Sequence, residues 1–277
     1  MAPTIALTIG GSDSGGGAGI QADLKTFMAL GVHGCSALSC VTAQNTCGVS
    51  RVDALPPAAL TAQLAAVLGD LPVAALKTGM LLNRALIEAT AEALAPLNLP
   101  KLIDPVMVSR AGAVLLEPEA IEAYRQVLLP QAELLTPNLH EAGLLSGLAI
   151  ADAAAVERAA TLLLEQGPGA VLIKGGGLAA LRGRDYLLEA GGLGQWLVHG
   201  VVNTRHTHGS GCTLGAAITA YRARGLALAE AVQAAKIYVE GGLRQALAIG
   251  AGQGPLGHWH SLQGSAAPGY GEAHAGP

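Results

Sequence analysis

Short apolar runs alternate with longer amphipathic stretches along nearly the whole chain, and this rhythm constrains the fold more than any other feature. Runs at 4–9, 35–41, 49–55, 74–77, 102–104, 134–136 and 170–174, with two more polar ones at 185–189 and 196–202, have the lengths and aliphatic content of strands. Stretches at 18–31, 57–69, 83–96, 117–129, 138–147, 152–167, 211–224 and 227–249 carry helical spacing. Start signals support several of them: Pro57 near a first turn, Asn83, Asp152 as a cap, and Pro118 behind Glu117. Strands that are apolar on both faces need helices on both sides of the sheet. The expected fold is therefore α/β, a three-layer α/β/α sandwich around a mostly parallel central sheet. Ligands of such sheets bind beyond the carboxyl ends of the strands, so the polar residues that follow each strand matter most for function.

Composition narrows the class. Of 277 residues, 51% are hydrophobic and 13% charged, with a net charge of −4, which excludes a disordered chain and argues against a nucleic-acid partner. Aromatic residues make up only 3%, so the core is built from small aliphatic side chains. No basic leader precedes an apolar stretch, and polar residues interrupt the long uncharged run 26–50. Neither a secretory signal nor a membrane span is expected, and the location expected is cytoplasmic. Cys35, Cys40, Cys47 and Cys212 lack CxxC spacing, which points to reduced thiols, the first two in the core, and not to disulfides or zinc. No linker or repeat divides the interior, so one domain over 1–263 is expected, followed by an aperiodic, mobile tail at 264–277.

Glycine stands out: the chain has 38, about twice the usual ~7% share, and clustered glycines need a backbone reason. The segment 10–19, GGSDSGGGAG, holds six in ten residues between a strand and a helix, which suggests backbone wrapped around a small ligand. Asp13 and Asp23 could add a hydrogen bond or charge there, although a solvated or capping role suits Asp23 equally. In HTHGSGCTLGAA (206–217), Gly209, Ser210, Gly211 and Cys212 precede an uncharged helical run, where free N–H groups and the helix dipole attract an anion. The alternative is a glycine-rich helix start without a ligand. Neither the spacing of a dinucleotide fingerprint nor the lysine of a Walker loop is present. A thiol at such a helix start is expected to have a lowered pKa and to serve as a base or nucleophile. The pairs His206/His208 and His258/His260 lack carboxylate or Cys partners at ligand spacing, so polar loop roles are preferred to zinc.

Seven blocks in order carry a resemblance: GSDSGGGAGIQADLKTF (11–27), VTAQNTCGV (41–49), KTGM (77–80), DPVMVSRAG (104–112), LLTPNLHEA (134–142), VLIKGG (171–176) and NTRHTHGSGCTL (203–214). Together they resemble the hydroxymethylpyrimidine and phosphomethylpyrimidine kinases of thiamine biosynthesis, in the ribokinase-like superfamily. The resemblance implies a homodimeric enzyme that uses ATP and Mg²⁺ to phosphorylate 4-amino-5-hydroxymethyl-2-methylpyrimidine, and then its monophosphate. It implies that Gln44 pairs with the polar edge of the pyrimidine, with Gly11, Ala18, Asp23, Met80 and Val106 around the substrate. Gln suits that role because its amide both donates and accepts. Gly209, Ser210, Gly211 and Cys212 would form the anion hole, with Cys212 in the place of a catalytic base. Asn138, Lys174 and Thr207 would serve ATP, and Asp104 and Glu141 the Mg²⁺, largely through water. Arg110-Ala111-Gly112 departs from the Lys-containing triplet common in relatives, and 252–260 matches only loosely. Two further readings stay open: a pyridoxal or pyridoxine kinase of the same superfamily, and a non-catalytic pyrimidine-binding regulator.

Overall fold

Among the described residues, the alternation of runs becomes nine hydrogen-bonded strands in a single sheet, covered by helices on both faces. The computed structural model describes residues 3–107, 116 and 118–262; the Arg110 triplet and the tail expected at 264–277 lie outside the described residues. The strands are β1 (Ile5–Asp13), β2 (His33–Gln44), β3 (Val49–Ala54), β4 (Val73–Thr78), β5 (Lys101–Ile103), β6 (Leu134–Leu135), β7 (Ala170–Lys174), β8 (Arg184–Glu189) and β9 (Gln195–Val198). They run in the order β3-β2-β1-β4-β5-β6-β7-β8-β9. The central pairs are parallel, while β3, β8 and β9 pair antiparallel at the edges.

The helices are α1 (Gly19–Ala29), α2 (Pro57–Asp70), α3 (Arg84–Leu94), α4 (Pro118–Ala123), α5 (Leu139–Ser146), α6 (Ala153–Leu164), α7 (Ser210–Ala223) and α8 (Leu228–Arg244). Side chains alternate across each strand, and this period of two sorts the core into layers. Ile5, Leu7, Ile9, Leu76, Ile103, Leu135, Val171 and Ile173 pack with α2 to α6. Ala6, Leu102, Leu134, Ala170 and Leu172 face α1, α7 and α8. Lys77 follows Leu76 and so points into the α1/α7 layer, where it is buried.

Asn83 and Asp152 cap as expected, accepting from the N–H groups of Leu86 and Ala155. Three boundaries differ from the sequence reading. Segment 10–13, expected as loop, continues β1 after a register shift between Gly10 and Gly11, because its glycines still pair with β2. The stretch 117–129 is broken: α4 ends at Ala123, a π turn follows over Tyr124–Leu128, and a 3-10 turn closes it over Leu129–Gln131. Pro130 has no N–H to continue an α-helical ladder, and Leu129 N–H donates to the Tyr124 carbonyl instead. The last helix stops at Arg244, short of residue 249, because Leu247 N–H turns away to the Pro255 carbonyl at 2.8 Å. Cys35 and Cys40 are buried free thiols, Cys47 is an exposed one, and Cys212 is partly buried. Among the described residues, no helix is long and apolar enough to cross a membrane.

Candidate active site

The carboxyl ends of β1, β4, β5 and β7 converge on the start of α7. Gly209 caps that helix with φ of 80°. A methyl group on it would lie 1.8 Å from the Gly17 carbonyl oxygen, and one on Gly19 would lie 2.4 Å from that of Gly11. These glycines let the 10–19 segment and the α7 start touch each other. Close approach of the chain to itself is thus one backbone reason for glycine at Gly209 and Gly19. Ser210 N–H donates to the Thr207 carbonyl at 3.2 Å. Gly211 and Cys212 are left as the first-turn N–H groups with no intrahelical acceptor.

Asp13 turns into its own loop. It accepts N–H bonds from Gly15, Gly17 and Ala18 at 2.8, 3.1 and 2.8 Å, and lies 2.8 Å from His208 Nε2. Burial works to raise its pKa, but His208 and these N–H groups hold it below the ordinary value. Asp23 is also enclosed. Its Oδ2 accepts from Thr8 Oγ1 at 2.6 Å and Lys77 Nζ at 2.8 Å, while Oδ1 is buried without a partner. Burial raises its pKa against the pull of Lys77. A solvated role is thereby excluded, and the carboxylate is directed to Lys77.

Cys212 lies between these groups. It receives a hydrogen bond from Gly19 N–H, and Asp23 is one turn further along α1. The expected acidic thiol is not what the structure produces. Burial and the charges of Asp23 and Asp104 push Cys212 up to about 11, against the opposing influences of Lys77 and the Gly19 N–H. The helix start alone does not offset the loss of water around sulfur.

On the other flank, Lys174 at the end of β7 pairs with Asp104 just after β5, Nζ to Oδ1 at 2.9 Å. A methyl group on Gly211 would lie 3.6 Å from the Lys174 ammonium. Asn138 and Glu141 form a capping box on α5: Asn138 accepts from the N–H groups of His140 and Glu141, and Glu141 Oε2 accepts from Asn138 N–H at 2.9 Å. Burial pushes Glu141 up to about 7, with Asp104 adding to the rise and Lys174 opposing it. The donor set fits a hydrated Mg²⁺, since two buried carboxylates of like charge offer hard oxygens and a divalent cation would relieve their repulsion. Among the described residues, no group of three or more His, Cys, Asp or Glu is placed to hold a metal ion.

The residues expected around the substrate gather at β1 and β2. A methyl group on Gly11 would come within 2.9 Å of Met80 Cε and 2.8 Å of Cys40 Sγ, so this glycine is needed for the packing. Ser39 Oγ donates to the Met80 carbonyl, and Ala18 caps α1 beside Asp13. Gln44 ends β2 next to Ser14, whose hydroxyl donates to the Gln44 carbonyl and accepts from its N–H. Val106 is partly buried two residues beyond Asp104, with its N–H on the Asp104 carbonyl.

The sequence profile of phosphomethylpyrimidine kinases matches residues 13–257. The chain belongs to this family. A hydroxymethylpyrimidine/phosphomethylpyrimidine kinase from Synechococcus elongatus is 58% identical over 263 residues, covering 95% of this chain and all of the relative. The crystal structure of a phosphomethylpyrimidine kinase from Clostridium difficile superimposes with a TM-score of 0.76 at 40% identity, over 85% of this chain and 97% of that one. The ADP complex of a Bacillus subtilis pyridoxal kinase gives 0.86 at 36% identity, over 95% and 99%. The chain is thus a kinase of the phosphomethylpyrimidine kinase family with the ribokinase-like fold.

Three features of this kinase escaped the sequence reading. Lys77, in KTGM, carries no local signal of a role, and only the tertiary structure pairs it with Asp23. His208, expected as a polar loop residue, touches Asp13 and lies 3.3 Å from the side-chain amide of Gln44. His258, inside the loosely matching segment 252–260, is buried 3.0 Å from Thr213 Oγ1, and burial lowers its pKa to about 4. Gln253 N–H also donates to the Thr46 carbonyl, so this segment straps the α7 start to the loop after β2.

Proposed function

We propose that this kinase transfers the γ-phosphoryl group of ATP to the hydroxymethyl oxygen of 4-amino-5-hydroxymethyl-2-methylpyrimidine, and then phosphorylates the resulting monophosphate. The observation that carries this reading is the position of Lys174, a fixed ammonium between the Asp104 carboxylate and the N–H groups that open α7. Phosphoryl transfer through a loose transition state needs positioning and charge stabilisation more than covalent chemistry, and that arrangement supplies both. Gly211 and Cys212 N–H groups and Lys174 face the phosphoryl oxygens; Asn138 and Thr207 lie on the ATP side. Mg²⁺, held by Asp104 and Glu141 largely through water, supplies neutralising charge for the ATP phosphates when bound. Gln44 reads the polar edge of the ring, and Gly11, Ala18, Met80 and Val106 enclose it. Asp23 acts from behind, through Lys77 and Cys212.

Cys212 takes the hydroxymethyl proton in the first step. Its thiolate is scarce at neutral pH but strongly basic, and the alcohol proton becomes acidic as the new O–P bond forms. The acceptor of the second step is a phosphate monoester with a second pKa of ~6, which needs no base. The active form is proposed to be a cytoplasmic homodimer, each chain carrying one domain over 1–263. Similarity to pyridoxal kinases favours pyridoxal phosphorylation as a second, slower activity. Coupled ATP assays on the pyrimidine alcohol, its monophosphate and pyridoxal, run side by side, test the assignment. Turnover of pyridoxal with none of either pyrimidine would overturn it.

A further inference from the structure

Three side chains from remote segments meet at the ring side of the site. Asp13 closes β1, Gln44 closes β2, and His208 immediately precedes the α7 cap. His208 Nε2 lies 2.8 Å from Asp13 Oδ2 and 3.3 Å from the side-chain amide of Gln44. The other end of that amide lies 3.1 Å from Thr42 Oγ1, which in turn is 2.9 Å from the Ser12 carbonyl oxygen. The imidazole is packed closely, since a methyl group on Gly17 would lie 2.4 Å from its Cδ2, and the backbone N–H of His208 donates to the Gly254 carbonyl.

A ring nitrogen carries either a proton or a lone pair, so Nε2 cannot donate to the carboxylate and accept from an amide N–H at once. Asp13 decides between them. Three backbone N–H groups already converge on its oxygens, and such a carboxylate only accepts. The proton therefore sits on His208 Nε2. The Gln44 atom that faces it must be the amide oxygen, with the NH₂ turned to Thr42 Oγ1 and the Thr42 proton directed to the Ser12 carbonyl. An amide oxygen and NH₂ occupy the same space, so only the surrounding hydrogen bonds distinguish them.

We propose that Asp13, acting through His208, fixes the polarity of the Gln44 amide and so sets the order of donor and acceptor that the substrate ring meets. The inference rests on Gln44 reading the ring, as proposed above. One NH₂ hydrogen and one oxygen lone pair of Gln44 remain for the substrate, a pattern that matches a ring nitrogen beside an amino group in one direction only. Pyridoxal has no amino group beside its ring nitrogen and draws on this polarity less. His208 is a positioning residue, since it reaches the ring only through Gln44.

The test compares kcat/KM for the aminopyrimidine alcohol and for its analogue without the 4-amino group, in wild type, His208→Leu, His208→Gln and Gln44→Ala. His208→Leu should lower the preference for the amino substrate about tenfold, mainly through KM, the size of one lost hydrogen bond. His208→Gln should restore most of that preference, because its NH₂ can donate to Asp13 and to Gln44 together. Equal losses on both substrates in His208→Leu, or no recovery in a folded His208→Gln, would overturn the proposal. Should His208→Leu not fold, His208→Asn, too short to bridge both partners, takes its place. If Gln44→Ala leaves the preference unchanged, the reading of Gln44 itself fails; if Gln44→Ala removes it and His208→Leu does not, only the present inference fails.

Discussion

The two sides of the site, one proposed for the ring and one for the phosphoryl group, are held together by different forces. On the ring side, Asp13, His208, Gln44, Thr42 and backbone N–H groups form a chain of hydrogen bonds around one carboxylate. On the phosphoryl side, Lys77–Asp23 and Lys174–Asp104 are ion pairs at 2.8 and 2.9 Å, the first of them with both side chains almost wholly buried. A hydrogen-bond chain sets direction, and a group in it can be replaced by another of like polarity. A buried ion pair tolerates no such exchange, because removing one charge strands the other away from water. A substitution on the first side should therefore cost less than one that breaks a buried pair.

That contrast can be broken in several ways. The largest effect belongs to Lys77→Met, which leaves Asp23 buried and unpaired and should destabilise the fold by about 3–5 kcal/mol in urea unfolding. Adding Asp23→Leu should recover most of that loss; failure to recover would mean that the pair is held for something other than mutual compensation. Lys174→Ala removes the cation facing the phosphoryl group, and kcat should fall about 10²–10³-fold in both steps. A loss confined to one acceptor would move Lys174 to the ring side of the comparison.

Glu141 probes the same buried charge by pH. Its folded pKa of about 7 lies above the ordinary 4.5, so the folded chain binds the proton more tightly. The stability this contributes is fully present below about 4.5 and is lost as pH rises through about 7, amounting to at most ~3 kcal/mol. Urea titrations of ligand-free protein at pH 5 and pH 8 should show that decline, and Glu141→Gln should flatten it. The smallest effect sharpens the mechanism. Cys212→Ala should slow the first phosphorylation about 10²-fold and the second far less. In wild type, the first step should accelerate as pH rises toward the thiol value of about 11, whereas the second should be level above ~7. Parallel pH profiles would remove Cys212 from the role of base.

How far the site could be read from sequence depends on how local each signal is. The α7 start was legible because Gly209, Ser210, Gly211 and Cys212 are consecutive, and the first N–H groups of any helix lack intrahelical acceptors. Asp104 and Lys174 were legible as polar residues closing apolar strands. The Lys77–Asp23 pair spans 54 residues and His208–Asp13 spans 195, so no local pattern joins them. Cys212 misled for the same reason: the helix start is a local feature, whereas the carboxylates that add to burial in raising its pKa are Asp23 on α1 and Asp104 just after β5. Among the elements, the break at Tyr124–Leu128 went unseen because the apolar spacing runs on through it while Pro130 withholds the hydrogen bond that an α-helix would need.

By itself, the sequence determined the layered architecture, the end of the sheet at which the polar side chains gather, and the inventory of those side chains. Apolar runs and helical periodicity are properties of neighbouring residues, so they survive without knowledge of the fold. Tertiary structure alone decided which carboxylate is paired, which thiol is pushed above its ordinary pKa, and which side chains surround the Gln44 amide. Those are electrostatic outcomes. They depend on distance and on the exclusion of water, and both are settled only when segments far apart in the chain close around the same few atoms.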